Sequence, residues 1–460
     1  MPNNGLTQLG LLTLKGLVQL AKLSNKIVVG ITGQFGSGCT MLGEHLNTDK
    51  GFKHYKFRDI IEQAAIKRLT KRVWDQLDKT KRRKELQTQG NILREKKAST
   101  VAKAILDEIN RNSDDEKDIV IETIRNPAEI ELFKAKFGER FFLISLYSSA
   151  QVRFQRKKDE YGDNLEQFKE DDLRDKGDDE PKYGQKTERC VYGADISIDN
   201  EAKLISRTEW DTFFTKISKY IELIRQPGMA RPTYEELHMR EAYAISLKSS
   251  CFKRQVGAVI VNDLEEEVKQ KVEEVKQKGK TLERRESYVV ATGFNDVPVG
   301  TLECRELEPY SCHKDAEEEK KLREMKYCPR CGKKLKLPSE KAVPYVCPTN
   351  KCKARLPRDF IPGKMLDVCR AVHAEEAAIL QAAKLGSTSL NHTSIYTTTF
   401  PCLLCAKSII NSGIKRVIFH EPYPMKESYE ILDSKVTLKK FEGVNAWAFD
   451  RLYRATNDND

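Results

Sequence analysis

The chain has 460 residues, 39% of them hydrophobic and 32% charged, and its 80 Lys and Arg outnumber its 69 Asp and Glu. At that length two or more domains with ordinary cores are expected, and the net charge of +11 favours polyanionic partners, nucleotides or nucleic acid, without locating a site for them. Among the twelve cysteines, Cys328/Cys331, Cys347/Cys352 and Cys402/Cys405 form close pairs, which argues against a secreted disulfide framework and for metal ligands in a reducing, cytoplasmic compartment.

The leucine-rich stretch LTQLGLLTLKGLVQLAKL (6–23) is too short, and too interrupted by Lys15, to predict a membrane span. It also lacks the basic start and small-residue cleavage site of a signal peptide. Leu6, Leu9, Leu12, Leu17, Leu20 and Leu23 suit an apolar helical face within 1–25, docked on its own domain or on a neighbouring subunit of a homo-oligomer.

Residues 26–225 predict a first α/β domain. KIVVGIT (26–32) is a buried strand that runs straight into GQFGSGCT (33–40), and a helix follows from Thr40. DIVIETI (118–124), Phe141–Leu146 and Ala194–Ile198 are further strands, and 208–225 is a closing helix. Strands alternating with helices predict a parallel sheet. The highly charged stretch 157–189 reads as a mobile lid or loop, with Arg153 and Arg156 where it begins. QPGMARP (226–232) is a linker, and Thr233-Tyr234-Glu235-Glu236 is a capping box that opens the next helix.

The second domain is expected over 233–456. It reads as helix 234–249, strands 255–261 and 287–294, helix 372–385, strand 394–397, helix 402–412, strand 416–419 and a tail ending in TNDND. Two insertions interrupt it: a charged helical stretch at 264–286 and a longer one at 314–366. There is no internal repeat.

His373-Ala374-Glu375 followed by Pro401-Cys402-Leu403-Leu404-Cys405 is the pattern H-x-E…P-C-x-x-C of zinc nucleobase deaminases. One histidine and two cysteines at helix starts give three donors, which leaves a tetrahedral Zn²⁺ one open position for water. Glu375 is the candidate proton shuttle. The spacing Cys328-x2-Cys331-x15-Cys347-x4-Cys352 reads as a four-cysteine zinc ribbon, a closed structural site within 328–352. Cys304, Cys312 and His313 fit no spacing rule, and Cys39, Cys190, Cys251 and Cys369 read as ordinary thiols.

GQFGSGCT has the frame of a phosphate-cradling P-loop, Gly33, Gln34, Phe35, Gly36, Ser37, Gly38, Cys39 and Thr40, with Cys39 where the lysine belongs. The backbone N–H groups and the helix start remain, and Thr40 keeps a possible Mg²⁺ contact. The loop therefore suits holding a nucleotide effector better than splitting one. The run KRLTKRVWDQLDKTKRRK (67–84) is either a solvated helix face or a docking face for a polyanion.

These segments carry a resemblance. CFKRQVGAVIVND (251–263), ATGFNDVPVG (291–300), HAEEAAIL (373–380) and YTTTFPCLLCAKSIINSGIKRVIF (396–419) resemble the cytidine/deoxycytidylate deaminase family, most closely the deoxycytidylate deaminases. The resemblance implies that Asn295 lies beside the nucleoside sugar; Ala377 departs from the common HAEEN. Residues 26–225, through RKELQTQGNILR (83–94) and VIETIRNPAEI (120–130), resemble P-loop nucleoside-monophosphate kinases. The fusion of the two is similar to the anti-phage dCTP deaminases of bacteria. It implies destruction of the dCTP/dCMP pool, a regulatory first domain and, as in several of that group, control by a small RNA. Two rival readings stand beside it: a polynucleotide cytidine or adenosine deaminase, and a nucleotide kinase or NTPase carrying a structural zinc domain.

Overall fold

The computed structural model describes residues 26–112, 117–177, 183–201, 207–263, 287–306, 312–339, 345–349, 352, 354–356, 369–386, 389–422 and 426–454. The helix expected within 1–25 and the insertion 264–286 lie outside these residues. The chain divides into two compact units, Met1–Glu236 with Glu442–Asp460, and Leu237–Phe441.

In the first unit, β1 (Val28–Gly33), β2 (Lys53–Lys56), β3 (Ile119–Glu122), β4 (Phe141–Tyr147) and β5 (Ile196–Asp199) lie parallel in the order β2-β3-β1-β4-β5. The runs VVGITG, IVIE and FFLISLY are buried almost throughout, as strands covered on both faces must be. One face packs Phe57, Ile105 and Phe133, and the other packs Leu42, Ile217 and Ile221. β1 lies between β3 and β4, where the strand order reverses, and its carboxyl end is the position at which open α/β sheets bind ligands. The glycine loop sits there, followed by α1 (Cys39–Thr48). Other helices of this unit are α2 (Lys79–Glu95), α3 (Pro127–Phe137), α4 (Ala150–Arg156), α5 (Leu165–Lys176) and α6 (Thr187–Tyr192).

Two expectations need correction here. The stretch read as a lid or loop contains α5, whose Asp171, Asp172 and Asp175 are all buried. They find partners inside the protein: Asp171 accepts from the Tyr161 hydroxyl at 2.8 Å, and Asp172 pairs with Arg153. The second domain was expected to run to residue 456, yet Glu442–Asp460 group with the first unit. The reason is β13 (Gly443–Val444), which pairs antiparallel with β5, and Asn445 and Trp447, which both donate to the Ala194 carbonyl. The capping box is present: Glu236 N–H donates to Thr233 Oγ1 at 3.2 Å, and Thr233 N–H donates to Glu236 Oε2 at 2.8 Å.

The second unit is built on β6 (Gly257–Asp263), β7 (Ser287–Phe294), β10 (Thr393–Thr399), β11 (Arg416–Glu421) and β12 (Thr437–Lys440), in the order β12-β11-β10-β6-β7. β10, β11 and β12 are parallel; β6 and β7 run antiparallel to their neighbours. Helices α7 (Ala374–Lys384) and α8 (Leu403–Ser412) share a buried cluster with this sheet, through Ala374, Ala378 and Ala406 against Ala258, Ile260 and Ile395. Alanines on α7 and Gly293 on β7 let helix and strand approach closely: a Cβ at 293 would lie 2.1 Å from the Ala374 carbonyl oxygen and 2.3 Å from Ala378 N. A two-stranded ribbon, β8 (Tyr345–Val346) and β9 (Arg355–Leu356), belongs to the inserted segment. The whole is the mixed α/β architecture expected from the sequence: a parallel sheet with helices, then an α/β sheet unit with an inserted ribbon. Among the described residues, no helix is long and apolar enough to cross a membrane.

Candidate active site and metal centres

His373 is the N-cap of α7 and Cys402 the N-cap of α8, so two helix starts face one another across the carboxyl end of β10. His373 Nδ1 lies 3.2 Å from Cys402 Sγ and 3.3 Å from Cys405 Sγ, and the two sulfurs are 3.6 Å apart. Donors bound to one tetrahedral Zn²⁺ at about 2.0–2.3 Å are separated by roughly 3.3–3.8 Å, so this set fits the ion. Hydrogen bonding with Cys405, then with His373, holds the Cys402 thiol down to about 4 against the opposing effect of burial. A thiol so lowered is a thiolate at neutral pH, the form that binds metal.

Glu375 stands in the first turn of α7 and is 4% exposed. Burial pushes its carboxyl above the usual value. Thr397 Oγ1 on β10 lies 3.3 Å from Glu375 Oε1 and 2.9 Å from the Thr399 carbonyl oxygen. A reading of the sequence misses Thr397; the only local sign is the run Thr397-Thr398-Thr399 immediately before the Phe400-Pro401-Cys402 turn. Asn295 is buried, but its amide is occupied: Oδ1 accepts from Val256 N–H at 2.7 Å and Nδ2 donates to the Arg254 carbonyl at 3.0 Å. In this form it holds the backbone entering β6.

The four ribbon cysteines form the second donor set, with all four sulfurs within 4.8 Å of one another. Cys328 Sγ is 3.7 Å from Cys352 Sγ, and Cys331 Sγ is 3.6 Å from Cys347 Sγ. Gly332, at φ 67°, makes the knuckle that aims Cys328 and Cys331 at one point, closed by Gly332 N–H to the Cys328 carbonyl at 2.8 Å. Four thiolates and no open position fit a structural Zn²⁺. Cys304, Cys312 and His313 join neither set among the described residues.

The glycine loop keeps its shape through side chains. Arg153 donates to the Phe35 carbonyl at 3.3 Å, Arg156 to that of Gly36 at 3.2 Å and Asn200 to that of Ser37 at 2.7 Å. Gly36 and Gly38 have φ of 83° and 108°, the left-handed region a turn this tight requires. Cys39 packs into the core beside Leu42 and Ile144, and burial pushes its thiol up to about 11, so it brings no charge to the loop. Thr40 Oγ1 donates to Glu122 Oε1 at 2.5 Å, at the end of β3. Burial opposes ionisation of Glu122, yet hydrogen bonds from His54 and Thr40 hold its carboxyl below the usual value. The expected lid arginines are therefore already engaged: Arg153 and Arg156 clamp the loop itself. In the basic run, Trp74 is buried with its Nε1 donating to Glu62, and Arg83 pairs with Glu160 over the Phe35 ring, so part of that charge is spent internally.

Residues 232–421 match the family model described as the cytidine and deoxycytidylate deaminase zinc-binding region. A deoxycytidylate deaminase of Schizosaccharomyces pombe is 28% identical over 201 residues, which are 43% of this chain and 40% of that protein. One of Saccharomyces cerevisiae is 25% identical over 217 residues, 46% of each. The chain thus spans less than half the length of these curated relatives. The crystal structure of dCMP deaminase from the cyanophage S-TIM5 in apo form covers 46% of this chain and 100% of its own, at 18% identity and a TM-score of 0.24.

Proposed function

We propose that the deaminase-family domain makes this chain a zinc-dependent hydrolase that converts deoxycytidine nucleotides, dCTP and/or dCMP, to deoxyuridine nucleotides. The observation that carries the reading is a buried carboxylate, Glu375, in the same helix turn as His373, where His373, Cys402 and Cys405 converge. Relatives named deoxycytidylate deaminase support a deoxycytidine nucleotide as substrate.

His373, Cys402 and Cys405 would hold a Zn²⁺, which when bound would supply the Lewis acidity that makes water ionisable near neutral pH. The rest of the chemistry falls to the chain. Glu375 accepts a proton from the attacking water and delivers it to the ring nitrogen as the carbon–oxygen bond forms. It then passes the second water proton to the exocyclic amine, whose carbon–nitrogen bond breaks to release ammonia. Thr397 orients the carboxylate toward β10 with a hydroxyl proton it shares with the Thr399 carbonyl. Asn295, whose amide holds the backbone entering β6, would border the sugar, as the resemblance to deoxycytidylate deaminases implies.

The proposal extends to the first unit. Gly33 to Thr40 would hold a nucleotide effector, with Thr40 and Glu122 as the oxygen pair for Mg²⁺, and would regulate rather than transfer phosphate. Cys328, Cys331, Cys347 and Cys352 would hold a structural Zn²⁺. We further place the chain in the cytoplasm as a homo-oligomer that depletes the deoxycytidine nucleotide pool against phage, with a small regulatory RNA as a partner consistent with the +11 charge.

The deciding experiment incubates purified, zinc-loaded protein with dCMP, dCTP, CMP and CTP and separates the products by chromatography. Deoxyuridine nucleotides from the deoxy substrates are expected. Conversion of cytidines only within oligonucleotides, or no conversion, overturns the reading.

A further inference from the structure

The α5 sequence LEQFKEDDLRDK would pass for a solvated helix, yet Asp175 in its last turn is 1% exposed. Its Oδ2 accepts the N–H of Phe35, inside the glycine loop, at 3.1 Å. Its Oδ1 pairs with the guanidinium of Arg125, which follows β3 and also reaches Gln185 Oε1 at 3.3 Å. Loop carbonyls 35, 36 and 37 are taken by Arg153, Arg156 and Asn200. A carboxylate thus sits on a loop N–H and a cation together, the two kinds of donor that recognise a phosphate group.

We infer that Asp175 is an internal anion that occupies part of the glycine loop's phosphate-binding surface, and that a nucleoside polyphosphate binds by displacing it, with Arg125 supplying the cation that Cys39 does not. This rests on the reading of residues 33–40 as a nucleotide site. A polyphosphate carries more charge than one carboxylate and can take both donors at once. Displacement breaks one of the contacts that hold α5, while Asp172–Arg153 and Asp171–Tyr161 still tether it. The ligand is therefore read out as a loosening of the end of α5. Burial lowers Arg125 to about 10, which leaves it cationic at neutral pH, and Cys39 is among the groups its charge acts on.

The test uses the full-length, zinc-loaded protein with Mg²⁺ and two probes, ATP and inorganic tripolyphosphate, measured by calorimetry. Asp175→Asn should bind both roughly tenfold tighter or more, since a charge-assisted internal competitor is gone, and Arg125→Gln should bind both more weakly. Asp171→Asn removes a neighbouring buried carboxylate that does not touch the loop and should leave affinity unchanged; equal tightening there would mean a general charge effect and would overturn the inference. The unaltered protein gives an independent reading by hydrogen exchange, in which ATP should protect residues 33–40 and speed exchange at the end of α5. Protection of the loop with α5 unchanged, or Asp175→Asn binding no tighter than the parent, overturns the displacement while leaving the nucleotide site standing. No binding by the parent or either variant overturns both.

Discussion

Thr397 Oγ1 stands 3.3 Å from Glu375 Oε1, joining β10 to the first turn of α7 at a point where both side chains are closed to bulk water. Thr397 has one hydroxyl proton, shared between this carboxylate and the nearer Thr399 carbonyl at 2.9 Å, so the contact biases the orientation of Glu375 without locking it. The strand that ends at Thr399 leads within three residues to Cys402, so the group beside Glu375 and a candidate metal donor share one stretch of backbone.

Glu375→Ala should retain zinc and lose deamination. The three donors are untouched, whereas a positioned acid–base group is usually worth ~10²–10⁴-fold in rate. Metal content by mass spectrometry and initial rates on dCMP and dCTP check this together. A rate close to the parent's would remove Glu375 from the chemistry.

Gly293→Ala should disturb the same site from β7, in the sheet on which α7 packs. The added Cβ would meet the backbone of Ala374 and Ala378 at 2.1 and 2.3 Å, so the helix bearing Glu375 must lift off the sheet. Overpacking of this kind costs about 1–3 kcal/mol. A lowered melting temperature with a fall in catalytic rate is expected; unchanged values of both would show that α7 tolerates the shift.

The two Cys/His clusters and the glycine loop are legible in the sequence because each is written in short spacings within one or two turns of backbone. Thr397, Gly293 and Asp175 are not, because each acts on a residue distant in the chain: Asp175 on Phe35, 140 positions away, and Gly293 on Ala374. Charge misled for α5, where three aspartates turn inward to partners that composition does not reveal. Strand β2, KHYK, has no apolar run to announce it and forms by pairing with β3. Nothing local in Gly443-Val444 reports pairing with β5, so sequence alone groups the C-terminal segment with the domain that precedes it in the chain.

Metal analysis should find two zinc ions per chain, removable one at a time. Cys402→Ser should abolish the ion beside Glu375 and leave the ribbon loaded; Cys328→Ser should do the reverse. Among the described residues, the ribbon's buried apolar cluster is Leu322, Ala354 and Leu356 with three of its cysteines, edged by the half-buried Met325, Leu335, Leu337 and Tyr345; so small a core leans on its metal, and local unfolding around β8 and β9 should accompany the second change. A single zinc unaffected by Cys328→Ser would remove the ribbon site.

Acid should weaken the second unit through His420. The ring is 1% exposed and its Nδ1 lies 2.6 Å from the Tyr243 hydroxyl. Burial, with the Lys440 charge, lowers it to about 3 from the usual 6.5. The unfolded chain therefore binds a proton that the native state refuses. The stabilisation is complete above about pH 6.5 and is lost as the pH falls from there toward 3, about 2 kcal/mol of it by pH 5. Denaturation of the parent and of His420→Gln at pH 7 and pH 5 should show the smaller pH effect in the variant. Equal pH effects would mean that His420 does not carry the difference.

The glycine loop offers the last test, at Gly38. Its φ of 108° strains any residue with a Cβ, and a Cβ there would lie 2.7 Å from Asn200 Nδ2, the group that holds the Ser37 carbonyl. Gly38→Val should therefore distort the backbone on which a phosphate would rest. With Cys39 buried and uncharged, the parent protein should show little phosphotransfer, because no lysine stabilises the migrating charge. The variant should keep both zinc ions and lose the response of deamination to added nucleotides. By linkage, an effector that raises substrate affinity must itself bind more tightly when substrate is present, so effector titrations with and without substrate give a second measure of the same coupling. An unchanged nucleotide response in Gly38→Val, or robust kinase turnover by the parent, would assign the loop to something other than regulation.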